Sequence, residues 1–348
     1  MSLKIGIVCS DLPEAGKKPG GVSIVVHELA NALVRAKNYV RIYSHTHKPQ
    51  NANYEVVKIP QISKSKTFAR RLILPFQINS LDFADLDLLH LHGDDWAFIR
   101  RLLPTIRTFH GCSLNEAKYT RVFRRKLMYL AYHPLELWAK KLADKSVGVG
   151  DDTIDILGAE GVIPNGYDPS FFYPETKSAQ PTAVVIGTLG GRKQSQKAIK
   201  LLLSVKKQIP SLVIHAVVDR PYEDSEVNSW VGISKEQLAK LVRESWIGVS
   251  TTLYEGFGVY YLEWMGAETI PISFNNIGVK SIITKHKAGI IANTISEIEK
   301  AALLILQNEA IRSKFKQNCS MATASFNWDK IADQYIRLYW QAIKKFNS

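Results

Sequence analysis

The stretch "WIGVSTTLYEGFGVYYLEWMGA", residues 246–267, decides how the chain is read. An apolar run, "WIGVST", gives way to a turn holding Gly256 and Gly258, and then to an unbroken segment that begins "VYYLE". That succession is a buried strand, a loop and a helix start, the unit from which parallel α/β sheets are assembled. Two carboxylates, Glu255 and Glu263, bracket Phe257 and Val259. The glycines leave backbone amides open at the helix start, where aligned N–H groups favour an anion. A fully helical interval would hold the acids about 12 Å apart, the scale of a sugar joined through a diphosphate to a ribose. Retaining glycosidases need about 5 Å between theirs. The plain alternatives are a helix cap or dipole partner for Glu255 and a solvated helix position for Glu263.

Outward from this unit the same alternation continues. "KIGIVCS", "VRIYSH", "LDLLHLHG", "IRTFHG" and "KSVGVG" read as strands of one sheet; "TAVVIGTLGG", "LVIHAVVD", "WIGVST", "TIPISF" and "AGIIAN" read as strands of a second. In "GGVSIVVHELANALVRA", Ile24, Val25, Leu29, Ala32, Leu33 and Ala36 share a helical face. "SKEQLAKLVRES" reads as another helix. Between the two series lies "VIPNGYDPSFFYPETKSAQP", rich in turn formers and lacking periodicity, as a linker is. The boundary is therefore set at Pro174, giving domains 1–174 and 175–326. Residues 327–348 form a last helix with Trp328, Ile331, Ala332, Tyr335, Leu338, Tyr339 and Ala342 in one stripe.

The 348 residues suffice for two such domains, each with its own core. Three cysteines, Cys9, Cys112 and Cys319, have no metal or disulfide spacing, which suits a reducing, cytoplasmic setting. No run of apolar residues is long enough to span a bilayer. The net charge of +13 attracts polyanions, with clusters at Lys64, Lys66, Arg70 and Arg71, at Arg100 and Arg101, and from Arg121 to Lys141.

Two glycine loops follow strands and precede helices. Gly20 and Gly21 would let a helix start approach an anion, or form a turn that binds nothing. "IGTLGGRKQ" sets Gly187, Gly190 and Gly191 beside Arg192 and Lys193, a diphosphate cradle or a solvated basic loop. Its spacing is not G-x-G-x-x-G, although Asp219 ends the next strand as the ribose acid of dinucleotide enzymes does.

Taken in order, these segments resemble glycosyltransferase family 4. Glu255 to Glu263 looks like that family's E-x7-E motif, and "GGVSIVVHELANAL" like its N-terminal glycine loop and helix. "LLHLHG" and "TFHG" resemble its histidine-ended strands, "VIPNGYDPSFFYP" its V-x-P-N-G-x-D segment, and "FNWDKIADQYIRLY" its closing helix. The resemblance covers nearly the whole chain. It implies an α/β protein of the GT-B type, two Rossmann-like domains facing a cleft, with the last helix returning to the first domain. It also implies transfer of a hexose from a nucleotide-diphosphate sugar to a hydroxyl acceptor, with retention and with no required cofactor or metal.

Carried over residue by residue, the family gives the donor sugar to Glu255, the ribose to Glu263, sugar and phosphate to the amides of Gly256, Phe257, Gly258 and Val259, and the diphosphate to Lys193. Gly20 and Gly21 would face the donor phosphate, His110 the reacting sugar, and "SWVGIS", residues 229–234, the base. Where the family carries an arginine after the first strand of the second domain, this chain has Thr188, and Arg192 would have to compensate.

His90 and His92 alternate on one strand without a third ligand at metal spacing, and are read as structural. Asp85 and Asp87 form a D-x-D that precedes a strand and is read as a turn. The basic and apolar "YTRVFRRKLMYLAYHPLELWAKK" is either a half-buried helix or a peripheral contact with an anionic membrane, which would suit a lipid-linked acceptor. The competing functions are a nucleotide-sugar epimerase, a degenerate sugar-nucleotide binder, a dehydrogenase and a basic nucleic-acid-binding protein. The dehydrogenase reading lacks the glycine spacing, and no nucleic-acid-binding motif is present, so no specific nucleic acid is expected.

Overall fold

The computed structural model describes residues 2–14, 20–63, 65, 68–100 and 102–348. Lys64, Lys66 and Arg101 of the basic clusters lie outside the described residues. The chain divides into two units: Met1–Ala117, Leu127–Gly166 and Trp328–Ser348 form the first, and Lys118–Lys126 with Tyr167–Asn327 form the second. The chain leaves the first unit upstream of Pro174. Tyr167 donates its backbone N–H to Phe326 O at 3.0 Å, and its ring lies against Gly266, where a Cβ would come within 2.3 Å of it.

In the first unit the strands are β1 (Lys4–Val8), β2 (Tyr39–Ser44), β3 (Glu55–Lys58), β4 (Leu88–Leu91), β5 (Thr105–Phe109) and β6 (Lys145–Gly148), in the order β3-β2-β1-β4-β5-β6. The second holds β7 (Thr182–Ile186), β8 (Val213–Val217), β9 (Val227–Trp230), β10 (Ile247–Ser250), β11 (Ile270–Phe274) and β12 (Ile290–Ala292), in the order β12-β11-β10-β7-β8-β9. Neighbouring strands are parallel in both. The orders are the same with the count restarted, the doubly wound arrangement. Each has its switch point beside its first strand, between β1 and β4 and between β7 and β10, where such sheets bind ligands outside the strands' carboxyl ends.

All ten strands expected from the sequence are present. The two additions, "EVVK" and "VNSW", are edge strands. Most of their residues are exposed or partly buried, whereas every residue of β4 and β5 is buried. Only one side of an edge strand is paired, so short mixed sequences suffice there.

The helix Gly21–Arg35 buries Val25, Leu29, Ala32 and Leu33 of its expected face, whereas Ile24 is 38% exposed and Ala36 caps the end. The last helix, Trp328–Asn347, buries the seven residues of its stripe. It belongs to the first unit, where Tyr339 Oη meets His90 Nδ1 at 2.8 Å and Asp329 pairs with Arg35. A capping box, Ser234 with Gln237, starts the helix Lys235–Glu244. Among the described residues no helix is long and apolar enough to cross a membrane.

Candidate functional site

The switch point of the second unit brings two loops together. The loop after β7 turns through Gly187 and Gly191, the latter at φ +65°, into the helix Ser195–Gln208. The loop after β10 runs to the helix Val259–Gly266, whose N-cap, Gly258, has φ +85°. A side chain would be strained there. The loops are joined: Leu253 N–H donates to Arg192 O at 3.0 Å, and Thr251 Oγ1 to Gln194 O at 2.7 Å. That join sets Lys193 beside Glu255, with Nζ 2.7 Å from Oε1. Arg192 Nη2 lies 3.9 Å from Oε2.

Glu255 is 8% exposed, so its carboxylate depends on these cations. Lys193 Nζ also stands 4.5 Å from the centre of the Tyr260 ring, and the Arg192 guanidinium 5.8 Å from that of Tyr254. From the next element, Asn276 Nδ2 donates to Thr252 O, and the helix Ile277–His286 places Gly278 against the Glu255 carbonyl. Phe257 is buried; Gly256, Val259 and Glu263 are partly buried.

Three expectations are revised. The interval between Glu255 and Glu263 is not fully helical, because the helix begins at Val259; a helical spacing does not apply to it. Asp219 is no free ribose acid: its Oδ1 accepts the Leu189 N–H at 2.7 Å and anchors the glycine loop. "SWVGIS" is not wholly loop, since Ser229 and Trp230 end β9. At the position of the departure, Thr188 Oγ1 donates to Gly190 O at 3.0 Å, bracing the loop that carries Arg192.

In the first unit, Gly20 and Gly21 stand at the start of the helix Gly21–Arg35, lining a cavity of about 320 Å³ with Ser10, Asp11, Arg70 and His92. No carboxylate occupies the first helical turn and no side chain caps it. Among the described residues a Cβ at Gly21 would meet nothing within 4 Å, and one at Gly20 only Ser23 Oγ at 3.8 Å. Packing within the chain therefore does not call for glycine at either position; open backbone at a helix start suits an anion.

A second cavity, of about 260 Å³, is lined by His92, His110, Arg70, Arg71, Arg107 and Glu136 among others. His110 Nε2 and His92 Nδ1 share a hydrogen bond at 2.8 Å. Burial lowers His110 to about 4 and His90 to about 3, so both are neutral near pH 7. Burial likewise lowers His92, whose Nε2 is buried without a hydrogen-bond partner among the described residues. His90 bridges Tyr339 and Thr108, a packing role. Arg107 pairs with buried Asp95, and Arg70 Nε with Asp94 Oδ2 at 2.9 Å.

Of the remaining motifs, Asp85 pairs with Arg41 and Asp87 Oδ2 accepts the Lys4 N–H, both holding strands together. Cys112, His133 and Glu136 bring ligand atoms within 4.8 Å of one another. Burial raises the Cys112 thiol to about 11, and both Glu136 oxygens accept from Ser113.

The sequence reading missed Tyr260, Asn276 and Gly278 around Glu255 and Arg107 in the first unit's cavity, and named Arg70 and Arg71 only as part of a basic cluster. An Asn three residues before the Val279 N–H that it caps was visible as a helix start, "NNIGV". Nothing local in the sequence ties that start to Glu255.

Residues 19–171 match the model of Glycosyltransferase Family 4, and residues 170–320 that of Glycosyl transferases group 1. Over 130 residues, 36% of this chain and 26% of the relative, the chain is 28% identical to the GDP-Man:Man(3)GlcNAc(2)-PP-Dol alpha-1,2-mannosyltransferase of Dictyostelium discoideum. It is 21% identical to the phosphatidyl-myo-inositol mannosyltransferase of Mycobacterium leprae, over 97% of this chain and 96% of that one. Among solved structures, the sucrose-phosphate synthase of Thermosynechococcus elongatus superposes with a TM-score of 0.77 at 18% identity, covering 98% and 99% of the two chains. With both halves matched in order over two doubly wound sheets, the chain belongs to the GT-B glycosyltransferases that join a family 4 half to a group 1 half.

Proposed function

We propose that this chain moves a hexose from a nucleotide-diphosphate sugar to a hydroxyl acceptor with retention of configuration, the second unit binding the donor and the first the acceptor. The observation that carries the reading is the buried Glu255 held against Lys193 at the β7–β10 switch point, beside a glycine-started helix. In this reading Glu255 accepts hydrogen bonds from donor sugar hydroxyls and Glu263 from the ribose. An arriving diphosphate competes with Glu255 for the Lys193 ammonium, and Arg192 takes the second position that Thr188 cannot fill. Amides at Phe257 to Val259 add the helix-start field.

As the bond from the anomeric carbon to the diphosphate oxygen breaks, negative charge grows on the leaving group, where Lys193 and Arg192 offset it. The acceptor oxygen bonds to the same face of the anomeric carbon, and its proton passes to a leaving-group oxygen. Neutral His110, fixed by His92, contributes a hydrogen bond rather than a charge. Gly20 and Gly21 leave helix-start amides in the first unit open to a phosphate.

The two curated relatives described above are named as mannosyltransferases, one of them for GDP-Man, which puts GDP-mannose first among the conjugates to titrate. Calorimetric titration with UDP, GDP, ADP and their sugar conjugates tests the reading. One conjugate is expected to bind selectively, and Lys193→Ala to weaken it by about 10- to 100-fold, the worth of one charged hydrogen bond. Absence of binding by any of them would overturn it.

A further inference from the structure

The first unit's polar cavity has an apolar neighbour. A groove of about 350 Å³ lies between the segment that carries Phe68 and Leu72 and the middle of the helix Phe123–Leu142, where Met128, Ala131 and Leu135 face it. Its scale is set by an apolar cavity of about 150 Å³ elsewhere, which is enough to bind benzene. Phe68 is 50% exposed and Leu72 46%. Large apolar side chains grouped at a surface mark a contact site. The segment Ala69–Ile73 winds as a π-helical turn, a form frequent at functional sites.

Two observations say what the groove takes. The first is continuity: Arg71, Tyr132 and Leu135 line both the groove and the cavity that holds His110. The second is charge. Arg70 is taken by Asp94 and Arg107 by Asp95, and Glu136 by Ser113. Arg71 has no carboxylate partner among the described residues. Its guanidinium is held over the rings of Tyr129 and Tyr132, at 5.2 and 4.8 Å, and its buried Nε and Nη1 have no hydrogen-bond partner among the described residues. Arg71 is partly buried, and two buried guanidinium nitrogens left so are costly unless an anion completes them.

We infer that the acceptor is a phosphate-bearing lipid, its hydrocarbon chain lying in the Phe68–Leu72 groove, its phosphate on Arg71 and its hydroxyl end directed to the His110 cavity. The inference rests on the acceptor role proposed for the first unit and names the class of acceptor. A water-soluble glycan would leave the groove and the Arg71 nitrogens without a purpose.

The test is equilibrium binding of farnesyl diphosphate, below its aggregation limit, to the full chain, against inorganic diphosphate, farnesol and vesicles of phosphatidylglycerol in phosphatidylcholine. Farnesyl diphosphate is expected to bind at least about tenfold more tightly than inorganic diphosphate, as burial of a few methylenes requires, and more tightly than farnesol. Leu72→Asp should remove about that advantage over inorganic diphosphate, and Arg71→Met the advantage over farnesol, with circular dichroism and the unfolding midpoint unchanged. Farnesyl diphosphate binding no tighter than inorganic diphosphate, or insensitive to Leu72→Asp, overturns the inference. So does binding to anionic vesicles without binding to the monomeric amphiphile, which would make the surface a membrane contact. The nucleotide titration on the same preparation separates the two readings: nucleotide sugar bound without farnesyl diphosphate leaves a transferase with a soluble acceptor, and the reverse leaves a lipid-binding protein without the donor role.

Discussion

A Cβ on Gly278 would stand 2.3 Å from the Glu255 carbonyl oxygen and 3.0 Å from the Glu255 Cβ. Both obstacles belong to one residue, and the nearer is backbone, which cannot swing aside as a flexible side chain can. Gly278→Ala should therefore push Glu255 away from Lys193 without unfolding the second unit, whose core lies elsewhere, around Ile199, Ile214 and Ile247. A misplacement on the order of 1 Å costs about a hundredfold in rate, so turnover should fall by that order while the far-ultraviolet circular dichroism holds. Wild-type kinetics in Gly278→Ala would remove Glu255 from the working site. Glu255 and Lys193 could be named from sequence because each sits in a short pattern of glycines and charges. Gly278 could not, since its importance comes from a contact across 23 positions that leaves no local mark.

At the scale of elements, the last helix shows how far periodicity reaches. Its seven buried residues were set by the stripe alone, but the stripe does not say which partner Tyr339 finds. That partner is His90 on β4, whose other nitrogen meets Thr108 Oγ1 on β5 at 2.8 Å. The phenol thus joins the helix to two strands of the sheet. Tyr339→Phe keeps the ring and leaves His90 Nδ1 buried and unpaired, which should cost about 1–3 kcal/mol, read as a lower denaturant midpoint at unchanged slope. An unshifted midpoint would mean that the hydrogen bond contributes nothing net. The same contrast explains the two missed strands. β3 and β9 are defined by backbone pairing to β2 and β8, and pairing needs no particular side-chain pattern.

For the molecule as a whole, three histidines buried beside one another tie stability to pH. His90 lies tilted against His92 with ring centres 4.0 Å apart, and His92 stacks on His110 at 5.1 Å. Tyr335, Tyr339 and Thr108 close around His90, and among the described residues no carboxylate contributes to its shift. Burial lowers His90 to about 3 and His110 to about 4 from the ordinary 6.5, and lowers His92 as well. Between the folded values and 6.5 the unfolded chain binds protons that the folded chain refuses, so acid favours unfolding. This stability is whole above pH 6.5 and drains as pH falls toward 4, at about 1.4 kcal/mol per pH unit for each histidine. Denaturant titrations at pH 5 and pH 6 should show that slope, and His110→Asn should reduce it by one histidine's share. An equal slope in the variant would mean that His110 is already charged in the fold, and with it the neutral hydrogen-bonding role proposed for it near the reacting sugar would fall.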